Sequence, residues 1–132
     1  MPPITRWFVK LSLVYFVAAL GGSVWQAAGG PFWLTPIIIH LLVVGWVTGM
    51  IFGVAYWMFP KYSAEQPRGV DSLAVASFVL LNLGLLLRIA AEPVQTTHPS
   101  AVAGWALIVS AALQWLGALA FVVNTWPRVK GR

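Results

Sequence analysis

Chemistry has few places to sit in this chain, which holds two histidines, His40 and His98, three acids, Glu65, Asp71 and Glu92, and no cysteine. His40 lies in the outer third of the apolar run PIIIHLLVVGWVTGMIFGVAYWMFP (36–60). An ionisable side chain is costly in hydrocarbon, so His40 is a functional candidate by position alone. Its imidazole can ligate a metal. Arg88 lies five residues before Pro93 in a later apolar run, which puts it and His40 at a similar depth, roughly 7–8 Å below the boundary at 1.5 Å per residue. A heme asks for this pairing, an axial imidazole in the apolar zone and a cation near the propionates. His40 is thus the candidate metal ligand, and His40 with Arg88 the candidate cofactor-binding pair.

Plainer roles compete at each position. His40 can donate to a backbone carbonyl or a neighbouring hydroxyl. Arg88 can snorkel to the interface or pair with Glu92 at i+4, and His98 reads as an exposed loop histidine. Other chemistries find no support. Without cysteine there is no disulfide or thiolate site. No serine or threonine has a histidine and carboxylate at suggestive spacing, and no glycine loop would cradle a phosphate. A proton-coupled exporter needs a titratable group at depth. All three acids fall in loops or at helix ends, so only His40 could stand in.

The elements that must position these residues are membrane helices. The chain of 132 residues is 60% hydrophobic and only 8% charged, against about 25% charged for soluble domains, so it cannot cover a water-facing surface. Four apolar stretches, 7–28, 35–59, 72–91 and 100–126, each approach the ~20 residues that cross a bilayer. The first resembles a signal segment in its basic start and small-residue tail, and is read here as a retained helix. Prolines and glycines punctuate the joints, with Pro93 closing the third stretch. Thr35, Asp71-Ser72 and Ser100 are candidate caps. The fold class expected is all-α: a single-domain integral membrane four-helix bundle over 1–132.

The basic residues flank the apolar runs instead of forming a patch, so they read as orientation signals and not as a nucleic-acid surface. Arg6, Lys10, Lys61, Arg68, Arg128, Lys130 and Arg132 fall on one side and only Arg88 on the other, which makes both termini cytoplasmic. Within the second stretch, Gly45, Gly49 and Gly53 form a stripe for close helix packing. His40 projects away from that stripe, on the face of Val44, Val47, Ile51, Val54 and Met58, toward another helix or a second protomer. In the fourth stretch Ala106, Ser110, Gln114, Gly117, Phe121 and Asn124 make a mostly small and polar seam turned from lipid. Asn82 is the expected partner for it.

His40 followed by Gly45-Trp46, Ile51-Phe52-Gly53, Tyr56 and Pro60 resembles helices of heme-copper oxidase subunit I and its nitric oxide reductase relatives. The stretches LNLGLLLRIAAEP (81–93) and ALAFVVNTWPRV (118–129) look like sequences that follow such a helix in short, oxidase-like membrane proteins. The resemblance covers about two thirds of the chain. It implies that His40, on a helix running inward from the outer face, ligates a low-spin heme b. The chain departs from the family in size: the catalytic subunit has about a dozen helices and six metal-ligating histidines, so no copper site can be built from one such chain. A six-coordinate heme would take its second ligand from another protomer, because Met50 and Met58 lie about 15 and 27 Å deeper on the same helix.

The leading expectation is an oxidase-like homo-oligomer in a prokaryotic cytoplasmic (inner) membrane, binding heme b for electron transfer or gas binding, with a respiratory-chain partner. The alternative is a non-enzymatic accessory or scaffold subunit of a larger respiratory complex.

Overall fold

The computed structural model describes residues 1–129, and its architecture is two antiparallel helical hairpins laid against each other. Helix α1 spans Pro3–Ala27, α2 spans Leu34–Met58, α3 spans Asp71–Thr97 and α4 spans Ala101–Thr125, followed by a 3₁₀ turn at Trp126–Arg128. All four are long and apolar enough to cross a membrane. Helices satisfy their own backbone hydrogen bonds, as a span without water must. The fold is therefore all-helical among the described residues, as the composition requires.

Side chains are distributed as lipid demands. Fully buried positions include Thr5, Ser12, Ser77 and Ser110, while Val17, Val102, Trp105 and Trp115 lie on the outside. With apolar surroundings on every side, burying a large apolar group gains little, and close packing of small residues is what holds helices together. Gly45, Gly49 and Gly53 do this between α1 and α2. A Cβ on Gly45 would stand 2.8 Å from the Tyr15 ring, one on Gly49 2.5 Å from Ser12 Oγ, and one on Gly53 2.7 Å from Phe8 Cβ. The expected glycine stripe is thus the seam against α1.

Backbone geometry keeps that seam straight. Residues four apart drift about 40° around an ideal α-helix. Over Leu41–Thr48, α2 adopts the wider π-helical turn, and Thr48 Oγ1 donates to the Val43 carbonyl at 2.8 Å, five residues back. A wider turn rotates less per residue, so Leu41, Gly45 and Gly49 stay in line and all three are buried.

The second hairpin uses the same device. A Cβ on Gly84 would meet the Ser110 carbonyl at 2.8 Å, and one on Gly117 the Leu81 nitrogen at 2.8 Å. Ser110 Oγ donates to the Gly84 carbonyl at 2.7 Å across this interface. Ser110, Gly117 and Asn124 are buried, so the expected polar seam of α4 does face inward. Between hairpins, Phe52 stacks on Phe121 at 3.9 Å and Phe8 meets Phe78 edge-on at 5.0 Å. Leu85 of α3 packs with Ile37, Ile38 and Leu41 of α2 in a small apolar cluster.

Three local expectations are corrected. Pro93 does not close the third helix, which continues to Thr97 with Pro93 inside it. Proline removes one N–H and crowds the carbonyl four residues back, but the following turn is tied by Thr96 Oγ1 to the Glu92 carbonyl and Thr97 Oγ1 to the Pro93 carbonyl. Thr35 does not cap α2, which begins at Leu34; its hydroxyl instead accepts from Gln26 across the α1–α2 turn. Asp71 is the first residue of α3 and not its cap, since Val70 holds that position. Ser100 does cap α4, accepting from the Ala103 N–H at 3.1 Å.

Replacing Gly49 by leucine should weaken the α1–α2 contact by about 1–3 kcal/mol, the usual range for overpacking. Ile51→Leu on the outer face should change little. Unfolding of both variants in mixed micelles checks this, and equal midpoints would contradict the seam.

Candidate functional site

His40 ends the first α-helical segment of α2, immediately before the π turn. Its ring is partly buried, and Nδ1 lies 2.9 Å from the Pro36 carbonyl. A carbonyl only accepts, so Nδ1 must carry the proton. In the neutral ring Nε2 then keeps its lone pair, the state a metal-ligating imidazole needs. The plain reading of His40 as a donor to a carbonyl is therefore seen, and that bond does not engage Nε2.

His40 is half-buried, and of the residues the sequence set on its face Val44 packs against the apolar cluster around Leu85. Val47, Ile51 and Met58 are 42%, 56% and 68% exposed. The glycine seam lies on another side of the helix, as the sequence implied. A second chain or lipid can reach Val47, Ile51 and Met58 without disturbing the α1–α2 contact.

Arg88 sits on α3 and pairs with Glu92 at 3.3 Å, the only ion pair among the described residues. Both side chains are largely buried, and Arg88 Nε and Glu92 Oε2 lack hydrogen-bond partners. Arg88 thus holds an unused donor beside its carboxylate. Because α3 runs on to Thr97, Arg88 stands nine residues from the helix end, about 14 Å at 1.5 Å per residue, deeper than the sequence-based estimate. His98 follows that end, exposed, with Nδ1 3.1 Å from Thr97 Oγ1. No group of three or more His, Cys, Asp or Glu side chains gathers to hold a metal ion among the described residues.

Asn82 was expected to reach the α4 seam. It turns instead toward α1, where its Oδ1 accepts from the Tyr15 hydroxyl at 2.8 Å while Nδ2 donates to the Phe78 carbonyl at 2.7 Å. Ser110 and Gln114 bond to each other at 3.1 Å, so the α4 seam is served without Asn82.

At the opposite end from His40, the structure assembles a polar cluster that sequence reasoning missed. Arg128 was counted only as an orientation charge, yet it is 1% exposed. Its Nε donates to the Pro60 carbonyl at 3.0 Å, one terminal nitrogen to the Phe59 carbonyl at 2.8 Å and the other to the Arg68 carbonyl at 3.4 Å. The guanidinium also lies over the Tyr56 ring, 5.5 Å from its centroid. The Tyr56 hydroxyl donates to Asp71 Oδ1 at 2.9 Å, and Asn124 Oδ1 accepts from the Val70 N–H at 2.8 Å. Gly69, at φ +79°, lets the loop pass Asn124 where a Cβ would stand 2.6 Å from Oδ1. A lone arginine after Trp126-Pro127 carries no spacing signal, because its partners are backbone carbonyls about 60–70 residues away.

No family model, curated protein or solved structure matches this chain.

Two outcomes are expected. Nitrogen-15 spectra of the histidine-labelled protein should show His40 protonated at Nδ1, and an Nε2-protonated ring would contradict the Pro36 bond. Arg128→Gln should destabilise the bundle by about 2–4 kcal/mol, since hydrogen bonds from a charged donor are worth about 1.5–3 kcal/mol each and glutamine can replace only part of the set. Thermal unfolding in detergent measures the loss.

Proposed function

We propose that this chain is an oxidase-like membrane subunit that offers His40 as an axial ligand to heme b at a contact between two copies, for electron transfer or gas binding. The observation behind the proposal is the His40–Pro36 hydrogen bond, which engages Nδ1 and leaves Nε2 as the nitrogen a metal could take, beside the exposed Val47 and Ile51. The resemblance of the α2 sequence to heme-copper oxidase subunit I points the same way.

The residues fit this group in part. The imidazole has the tautomer required, and Arg88 keeps a free donor near a partly compensated charge, suited to a propionate. Glu92 opposes a second carboxylate there, so Arg88 would have to exchange partners. One chain supplies one ligand, and two copies meeting at the His40 flank would supply two, making the functional unit a homo-oligomer. The heme would contribute one-electron redox chemistry or a position for a gas. This chain's own residues orient the ligand, keep water away through the apolar walls of α2, and balance charge.

The orientation proposed has both termini in the cytoplasm of a prokaryotic cell. The N-terminal turn of α1, the 59–70 loop and Arg128 gather at one end of the bundle, and that end carries most of the basic residues, as the positive-inside rule favours.

A second reading, an accessory or scaffold subunit of a larger respiratory complex, draws on the Arg88–Glu92 pair. An arginine whose charge is already balanced by its neighbour needs no cofactor to explain it.

Absorption spectra of the protein expressed with heme precursor, as isolated and after dithionite, separate the two. A Soret band at one heme per two chains, lost in His40→Ala with helix content and membrane insertion unchanged, is the expected result. A normal spectrum in His40→Ala would sink the ligand assignment. A colourless wild-type protein would favour the scaffold.

A further inference from the structure

A groove of about 650 Å³ opens at the polar end of the bundle, between the first turns of α1 and α3. Its walls are apolar, with Pro3 and Trp7 on one side and Val75 and Val79 on the other. Its polar and charged lining residues are few: Tyr56, Arg68 and Asp71. The volume falls within the ~300–1,000 Å³ of small-molecule sites, enough for a headgroup, its glycerol and the upper part of an acyl chain.

The two charges are three residues apart, opposite in sign, and line the same groove, yet they do not pair. The only ion pair among the described residues is Arg88–Glu92, on α3 far from this end. Asp71 uses Oδ1 to accept from Tyr56, which leaves Oδ2. Arg68 contributes its backbone carbonyl to Arg128, which leaves its guanidinium clear of that clamp. A cation and an anion held apart at the mouth of an apolar groove are complementary to a head that carries both charges.

We propose that this groove binds a phospholipid with a primary ammonium, of the phosphatidylethanolamine type, its phosphate on Arg68, its ammonium on Asp71 and one acyl chain between Trp7 and Val79. Guanidinium suits phosphate through charge-assisted, two-pronged hydrogen bonds. An ammonium has three N–H donors for the carboxylate, whereas a choline head has none. Asp71 is the element that should tell the two heads apart, and Arg68 should serve both equally. The location agrees with an amphiphile, since the groove lies where the apolar spans meet the charged loop. The assignment is independent of any heme at His40, which occupies the other end of α2.

Native mass spectrometry from nanodiscs of equimolar phosphatidylethanolamine, phosphatidylcholine and phosphatidylglycerol tests it. Wild-type protein should retain the ethanolamine lipid about tenfold over the choline lipid, the discrimination of one charge-assisted hydrogen bond. Asp71→Asn, which keeps an acceptor for Tyr56, should erase that preference. Arg68→Gln should lower retention of both, and Val102→Leu, on the exposed face of α4 at the other end of the bundle, should change neither. Val79→Trp should displace the adduct while leaving both charges in place, which keeps the test decisive if a loop variant folds poorly. Equal retention of the ethanolamine and choline lipids by wild type, an unchanged preference in Asp71→Asn, or phosphatidylglycerol held as strongly as the ethanolamine lipid would each overturn the proposal.

Discussion

Close backbone approach is the constraint on which the rest of this bundle depends. Helices surrounded by hydrocarbon gain little from burying apolar side chains, so contact must come from dispersion at short range and from hydrogen bonds across the interface. Each hairpin therefore places glycine where a Cβ would stand between 2.5 and 2.8 Å from its neighbour, Gly45, Gly49 and Gly53 in the first and Gly84 and Gly117 in the second. The π turn in α2 serves the same end by holding its seam in line. Large apolar groups are displaced outward as a consequence, which is why the exterior is rich in tryptophan, valine and leucine while serines and threonines lie inside.

Polar groups drawn inward by this arrangement need partners, because an unsatisfied donor or acceptor away from water is expensive. Most find one within the bundle: Tyr15 with Asn82, Ser110 with the Gly84 carbonyl, and Arg128 with three carbonyls of the loop it clamps. The clamp joins the end of α4 to the segment that connects the two hairpins. It thereby ties both hairpins at one end, while the opposite end relies on the apolar cluster around Leu85.

The exceptions include Arg88 Nε, Glu92 Oε2 and the hydroxyls of Thr5 and Ser77, which are buried without a hydrogen-bond partner. His40 is half-buried, with Nδ1 engaged by the Pro36 carbonyl, while Val47, Ile51 and Met58 of the same helix face outward. The groove at the other end of the molecule is lined by Arg68 and Asp71, which form no ion pair with each other. His40 and this groove lie at opposite ends of α2. Glycine contacts close the seams within each hairpin, and the groove of about 650 Å³ opens where the two hairpins meet, between α1 and α3.

The sequence by itself determined the class of the molecule. Apolar length sets the number of spans, glycine spacing sets the close seam, and the spaced Ser110, Gly117 and Asn124 mark the inner face of α4, all because helical periodicity maps local pattern directly onto a face. His40 was legible for the same reason, as the one ionisable group inside its span. Tertiary structure decided what local pattern cannot encode. Asn82 meets α1 and not α4, Arg128 is a buried clamp and not a surface charge, and Arg68 and Asp71 come to one groove without touching. Each of these depends on how the two hairpins rotate and slide against each other, and that is set by atoms 54 to 69 residues apart. Pro93 shows the converse limit: its local signal is to stop a helix, yet the helix continues where following side chains bond back to the turn it disturbs.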